Sequence, residues 1–235
     1  PRHVSAHVNL AGQLKSLGQT DQAVLHYRRA LRLQPDLAEA YFNLGNLLND
    51  QGKQAEAVKS YRQAVRAKWD YVEAYHNLGA TLVEQKEFVD ARTQFERALQ
   101  LRPAFSRSRD ALAILMWGEA KFAAAIQLLR QGLQVAPGHT RGALMLASFL
   151  VNCPDARLRD GATAVVIAQR ISNILDNSNP EVLMVLADAY AAVGNITAAI
   201  AGAQRALQVA TPAQIAKLQP RLDHYEQLKD AGTVE

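Results

Sequence analysis

One spacing governs this chain: the same letters return every 34 residues. Leu44-Gly45, followed by Leu48, comes back as Leu78-Gly79, followed by Leu82. A weaker copy precedes them at Leu10, Ala11 and Leu14, and another follows at Leu112, Ala113 and Met116. A second set runs in the same register. Ala23, Tyr27 and Ala30 are matched by Ala57, Tyr61 and Ala64, then by Ala91, Phe95 and Ala98, and then by Ala125, Leu129 and Gly132. Proline closes the unit at Pro35, Pro103 and Pro137, with Trp69 in its place once. A unit of this length holds two short helices and their turns, and cannot bury its apolar face alone, so units must stack.

Four units lie in register, at 4–37, 38–71, 72–105 and 106–139. A fifth, about 140–179, begins with Leu146, Ala147 and Leu150, then resumes about five residues late at Ala164, Ala168 and Ile171. The segment 152–160, bearing Cys153 and Pro154, holds the extra length and reads as a longer loop between helices. A sixth unit, 180–211, carries Leu186, Ala187, Tyr190, Gly194, Ala199, Ala203 and Ala206. Beyond it Ile215, Leu218, Leu222, Tyr225 and Leu228 recur at helical spacing over about 212–229, as a terminal cap requires. Small residues mark where two helices cross closely. Gly18, Gly52 and Gly194 suit the left-handed residue that ends a helix. A 34-residue period with small residues at fixed offsets and a closing proline is the tetratricopeptide signature. The expected fold is therefore all-α: a right-handed α–α superhelix in a single domain over 1–235, with twelve repeat helices, a capping helix and no sheet.

Composition sets bounds on this picture. Apolar residues make up 49% of the chain, enough for a continuous core, and the formal charge of +4 is spread along the sequence. The densest basic stretch, Arg102, Arg107 and Arg109, reads as ordinary solubility rather than a nucleic-acid footprint. The one cysteine cannot form an internal disulfide, which leaves the compartment open. No apolar run reaches the roughly 18 residues of a membrane span, and residues 1–20 show no signal-peptide core. No membrane insertion by this chain is expected. The sequence opens on Pro1 rather than Met, which reads as a fragment or a processed product.

Two stretches carry finer resemblances. Ala40-Tyr41-Phe42-Asn43-Leu44-Gly45-Asn46 and Glu73-Ala74-Tyr75-His76-Asn77-Leu78-Gly79 resemble the repeat arm of O-linked N-acetylglucosamine transferases. Cys153-Pro154-Asp155, followed by Arg159-Asp160-Gly161 and on to Ala168, with Leu186 to Asn195 beyond, resembles bacterial repeat domains. Those are often appended to larger proteins, membrane-bound glycosyltransferases among them. No part of the chain resembles a transferase catalytic domain, and fold does not fix activity.

The resemblance implies a concave groove lined by the first helices, at positions 2, 5, 6, 9, 12 and 13 of each unit. Position 6 reads Asn9, Asn43 and Asn77, and position 9 includes Asn46. An asparagine offers a donor and an acceptor and can pair with a peptide group at both ends. Neighbouring helices about 8–10 Å apart meet roughly every third residue of an extended peptide rising about 3.3 Å per residue. Phe42 and Trp117 fall at groove positions as aromatic anchors. Glu39 and Glu73, with Glu84, make the middle acidic, whereas Arg107 and Arg141 make the later part basic. The expected groove set is Asn9, Glu39, Phe42, Asn43, Asn46, Glu73, His76, Asn77, Arg107 and Trp117. The competing reading of the asparagines is that they solvate the face or bridge adjacent helices. The carboxylate clamp of chaperone-binding repeats is absent in this register, since its positions hold Ser5, Glu73 and Asn77.

Catalytic constellations do not emerge. His3 and His7 stand four apart on one helix face but need further ligands to hold a metal. Cys153 has no companion for nucleophilic chemistry, and no phosphate-binding glycine loop occurs. No cofactor, metal or catalytic residue is expected. Three readings stay open: a scaffold binding an extended segment of a protein or peptide partner, the substrate-recruiting repeat arm of a larger glycosyltransferase-type enzyme, and a helical repeat binding nucleic acid. The last needs a continuous basic stripe that the groove positions lack.

Overall fold

The sequence period becomes helices of nearly constant length. The computed structural model describes residues 2–232, which form thirteen α-helices and one short 3-10 turn, with no strand among them. The helices are α1 Arg2–Ser16, α2 Thr20–Leu33, α3 Ala38–Asp50, α4 Gln54–Ala67, α5 Val72–Glu84, α6 Phe88–Leu101, α7 Ser106–Gly118, α8 Phe122–Val135, α9 Thr140–Asn152, α10 Gly161–Ile174, α11 Pro180–Ala192, α12 Ile196–Val209 and α13 Pro212–Gly232. This is the expected set of twelve repeat helices and a terminal one. The sequence reads as one continuous array, whereas the chain divides into two compact units, Pro1–Leu115 and Met116–Glu235, with the division inside α7. No helix among the described residues is long and apolar enough to cross a membrane.

In the first unit α1 packs on α2, α3 on α4 and α5 on α6. Their cores are the repeated letters: Ala23, Tyr27 and Ala30, then Ala57, Tyr61 and Ala64, then Ala91, Phe95 and Ala98 are all buried. The glycine of the Leu-Gly pair has a specific steric cause. A β-carbon on Gly45 would lie 2.6 Å from the Tyr61 ring, and one on Gly79 would lie 2.7 Å from the Phe95 ring. Each aromatic ring therefore rests on bare backbone, and the two helices of the pair close to the distance that the ring allows.

The turns repeat as faithfully as the cores. The amide of Gln19 donates to the carbonyl of Leu14 at 2.8 Å, that of Lys53 to Leu48 at 2.8 Å, that of Glu87 to Leu82 at 2.9 Å and that of Lys121 to Met116 at 2.8 Å. Each closes a helix in the Schellman manner around one left-handed residue. Gly18 and Gly52 fill that position with φ of 72° and 73°, but the next two copies hold Lys86 at 64° and Ala120 at 58°. The array imposes the conformation even where the side chain opposes it.

In the second unit Pro35-type punctuation persists, with α8 ending at Val135 just before Pro137. The expected break follows α9. Residues 153–160 form a loop containing the 3-10 turn Ala156–Leu158. It is tied down rather than loose. Cys153 is fully buried, Arg159 Nε donates to its carbonyl at 2.8 Å, and the Asp160 amide donates to the Leu150 carbonyl at 3.0 Å. The Asp160 carboxylate then caps α10 by accepting from the Thr163 amide at 3.0 Å. At the end of the unit, Leu218, Leu222 and Tyr225 of α13 join a core with Leu183, Met184, Ala187, Ala199, Ala203 and Ala206. The Tyr225 hydroxyl donates to the buried Asp188 carboxylate, which Arg221 also pairs.

Two stability changes are expected. Gly45→Ala drives a methyl into the Tyr61 ring and lowers stability by about 1–3 kcal/mol, whereas Gly45→Ala combined with Tyr61→Leu recovers part of that loss. Lys86→Gly relieves a left-handed residue that costs about 1–2 kcal/mol, less the entropy of glycine in the unfolded chain. It raises stability by roughly 0.5 kcal/mol. Urea unfolding of the three variants beside the parent checks both signs.

Candidate functional site

The first unit carries a cleft of about 510 Å³. Its walls come mainly from first helices: Lys15 of α1, then Phe42, Asn46, Asn49 and Asp50 of α3, then Glu73, His76, Asn77, Ala80 and Thr81 of α5, then Arg107 of α7. Tyr61 reaches in from α4. Helices stacked in register bring side chains 31 to 34 positions apart in sequence to the same wall.

A hydrogen-bonded cluster forms its floor. Asn77 Nδ2 donates to Asn46 Oδ1 at 2.8 Å, and the Tyr61 hydroxyl donates to the same oxygen at 2.8 Å. Thr81 Oγ1 donates to the Asn77 backbone carbonyl at 2.9 Å and reaches Asn49 Oδ1 at 3.3 Å. Burial pushes the Tyr61 hydroxyl well above the ordinary phenol range, so it stays protonated and remains a donor. Asn46 thus has both lone pairs of its carbonyl engaged while its amide group keeps two hydrogens; the Asn77 amide reaches the Tyr61 hydroxyl as well as Asn46, and its carbonyl is the group left over.

The rim is charged and mixed. Lys15 and Arg107 line it together with Asp50 and Glu73. Glu73 also pairs with Arg102 at 2.7 Å. Partial burial opposes its ionised form, but hydrogen bonds from its own backbone amide and from Arg102 prevail and hold the carboxyl below its ordinary range. Phe42 is half-buried, with its ring centroid 4.9 Å from Tyr71 and 6.1 Å from Tyr61. The Tyr71 hydroxyl is pushed up to about 12 by burial and then by Glu39 and Glu73.

Six of the ten residues expected in the groove line this cleft: Phe42, Asn46, Glu73, His76, Asn77 and Arg107. Asn9 and Glu39 are exposed on α1 and α3, and Asn43 is half-buried on α3; none of the three is among the residues of the wall. Trp117 lies in the second unit, its ring stacked on Phe149 at 3.9 Å and edge-on to Phe122 at 4.8 Å. Phe42 is not a free anchor, because Tyr71 covers one side of it. His76 is a core histidine with an edge on the cleft. It is buried, lies between the rings of Phe95 and Phe105 and sits 3.0 Å from Ser108 Oγ through Nδ1. Lys15, Asn49, Asp50, Tyr61 and Thr81 were not singled out by the sequence. Lys15 and Asn49 do occupy the twelfth position of their units, which the resemblance marks as groove. Tyr61 is a core position in the repeat, and only its hydroxyl emerges. Among the described residues no three metal-ligating side chains gather around one point.

Comparison with known proteins agrees with the fold. A sequence profile described as TPR repeat matches residues 13–48 and 45–86, and one described as tetratricopeptide repeat matches 72–105. No curated protein matches the sequence. Among solved structures, a tetratricopeptide repeat protein of Parabacteroides merdae superposes with a TM-score of 0.74 at 17% identity, over 98% of this chain and 89% of that one. PilF of Pseudomonas aeruginosa superposes with a TM-score of 0.69 at 20% identity, over 98% of each chain. YrrB, described as a TPR protein with an unusual peptide-binding site, superposes with a TM-score of 0.64 at 17% identity, over 83% of this chain and 98% of that one. Residues 13–105 are tetratricopeptide repeats, and the fold of the chain is that of a tetratricopeptide-repeat protein.

His76 makes the first unit acid-sensitive. Burial, and then the nearby Arg107 charge, lower its pKa from 6.5 to about 4. The unfolded chain takes up this proton near 6.5 and the folded chain only near 4, so the contribution is complete above pH 6.5 and is lost as the pH falls toward 4. The loss is on the order of 2–3 kcal/mol. Chemical unfolding at stepped pH, for the parent and His76→Gln, should show this component in the parent alone.

Proposed function

We propose that this chain is a protein-interaction scaffold and that the cleft of its first unit receives an extended peptide segment of a partner. The observation that carries the reading is the Asn46–Asn77 pair. The two amides bond to each other and to Tyr61, which fixes their orientation, and each keeps unpaired hydrogen-bonding capacity on a residue that lines the cleft. Donor and acceptor groups held in one geometry suit the alternating N–H and C=O groups of an extended backbone. The protein-binding reading also fits the fold, since YrrB, with the same architecture, has a peptide-binding site.

Asparagine contacts to a backbone are indifferent to the peptide's side chains. Discrimination then falls to the rim, where Lys15 and Arg107 stand with Asp50 and Glu73 around one opening. Each backbone hydrogen bond contributes about 0.5–1.5 kcal/mol net, so two amides alone give weak binding. The apolar flank of Phe42 and the rim charges supply the remainder.

The same asparagines bridge α3 and α5, so truncating them perturbs folding as well as binding. Asn46→Ala with Asn77→Ala should weaken capture of a peptide by about 1–3 kcal/mol and also lower the melting temperature. A cleaner test fills the cleft from Ala80, a half-buried wall residue. Short unstructured peptides are selected from a display library against the parent chain and titrated against Ala80→Arg. The expected result is lost binding with an unchanged melting temperature. Equal affinity for the same peptides would remove the cleft as their site.

A further inference from the structure

The first helix pair holds a cluster that peptide recognition does not use. His7 of α1 and His26 of α2 meet across the pair with their Nδ1 atoms 2.9 Å apart, and their ring centroids lie 5.1 Å apart at an interplanar angle of 42°. Both rings are half-buried. Two imidazole nitrogens this close need something between them: here a single proton, carried on one Nδ1 and accepted by the lone pair of the other. His3 precedes His7 by four residues on α1, which places the two on one face a turn apart, and its side chain is exposed.

We propose that His7 and His26 chelate a divalent transition-metal ion in place of that shared proton, with His3 as a third donor. Two metal–nitrogen bonds of about 2.05 Å whose nitrogens lie 2.9 Å apart enclose an angle of about 90°. That is the angle between neighbouring ligands in tetragonal and octahedral coordination, which favours Ni(II) or Cu(II) over tetrahedral Zn(II). On binding, the ring now protonated on Nδ1 adopts the Nε2–H tautomer, and each ring rotates so that its lone pair turns off the N–N line toward the ion. No net proton is released by this change. As the side chains stand, two donors converge and no third joins them among the described residues. His3 joins by a rotamer change open to an exposed side chain, and water completes the shell. Arg29, three residues past His26, lies close enough to act on it by its charge. It disfavours a cation there and holds the affinity to a moderate value.

The pairing of α1 with α2 makes the site, which the sequence alone could not: His3 and His7 are legible as an i, i+4 pair, but His26 is 19 residues away and reaches them only through the turn at Gly18. The test is calorimetric titration of Ni(II) into the chain and into His3→Gln, His7→Gln and His26→Gln, with far-UV circular dichroism confirming equal helix content. The expected outcome is one saturable equivalent, weakened by about tenfold or more in His7→Gln and His26→Gln and by a smaller factor in His3→Gln. Ni(II) should also raise the melting temperature of the parent and of a His224→Gln control alike, and leave that of His26→Gln unmoved. Binding that needs His3 but is indifferent to His26 would belong to the chain terminus and overturn the proposal. So would the absence of a saturable equivalent in the parent.

Discussion

A ring resting on a glycine sets the dimensions of the first unit. Gly45 under Tyr61 and Gly79 under Phe95 let the two helices of a pair approach to the thickness of one aromatic ring, because no β-carbon intervenes. Close approach within each pair leaves a compact layer whose remaining apolar surface can only be covered by the next layer. Stacking then brings α3 alongside α5, and residues 31 positions apart come within hydrogen-bonding range, as Asn46 and Asn77 do. The cleft is a consequence of that spacing. It follows the ring–glycine contacts, and one of those rings, Tyr61, also reaches its wall.

The polar floor of the cleft is satisfied from within the protein. An amide buried without partners costs about 1–3 kcal/mol, so a half-buried asparagine must be satisfied before any ligand arrives. Asn46 and Asn77 meet this by bonding to each other and by using the Tyr61 hydroxyl. Bridging of α3 and α5 by Asn77 is thus observed, and it leaves room for the ladder reading under the proposed function. One carbonyl oxygen does the bridging, and the bridge uses neither the Asn46 amide hydrogens nor the Asn77 carbonyl. These bonds fix the orientation of both amides, which is preorganisation under the proposed peptide-binding reading.

Most of the fold was legible in the sequence because the fold is periodic. The 34-residue register located the helix pairs, the terminal helix after Pro212 and the five-residue slip that becomes the loop at 153–160. What the period could not show were contacts that depend on side-chain direction across helices. Phe42 and Trp117 both occupy first-helix positions that imply exposure, yet Tyr71 covers one and Phe149 the other. His76 sits beside Asn77 in sequence but points into the core between two rings. Lys86 and Ala120 hide a turn identical to that at Gly18 and Gly52, because the hydrogen bond that closes it is made by backbone alone. Pattern reports which positions matter. It does not report which way a side chain turns once a large neighbour claims the space.

The second unit shows what happens when the register slips. An extra five residues would normally uncouple two packed helices, and a loop of that length carries polar backbone that must be satisfied. Here the added segment folds back on the helix it interrupts: the Asp160 amide returns to Leu150, Arg159 holds the Cys153 carbonyl, and the Cys153 side chain fills the core. Asp160 then starts α10 with a side-chain cap, which the second helices α2, α4, α6 and α8 lack because Gln19, Lys53, Glu87 and Lys121 stand at their cap positions; Asn195, after the same tight turn, does cap α12. The regular turns are closed by backbone geometry and tolerate almost any side chain, as Lys86 and Ala120 demonstrate. The irregular one is closed by named side chains. Dependence on particular side chains in this fold is therefore greatest where the period breaks and where rings meet glycine.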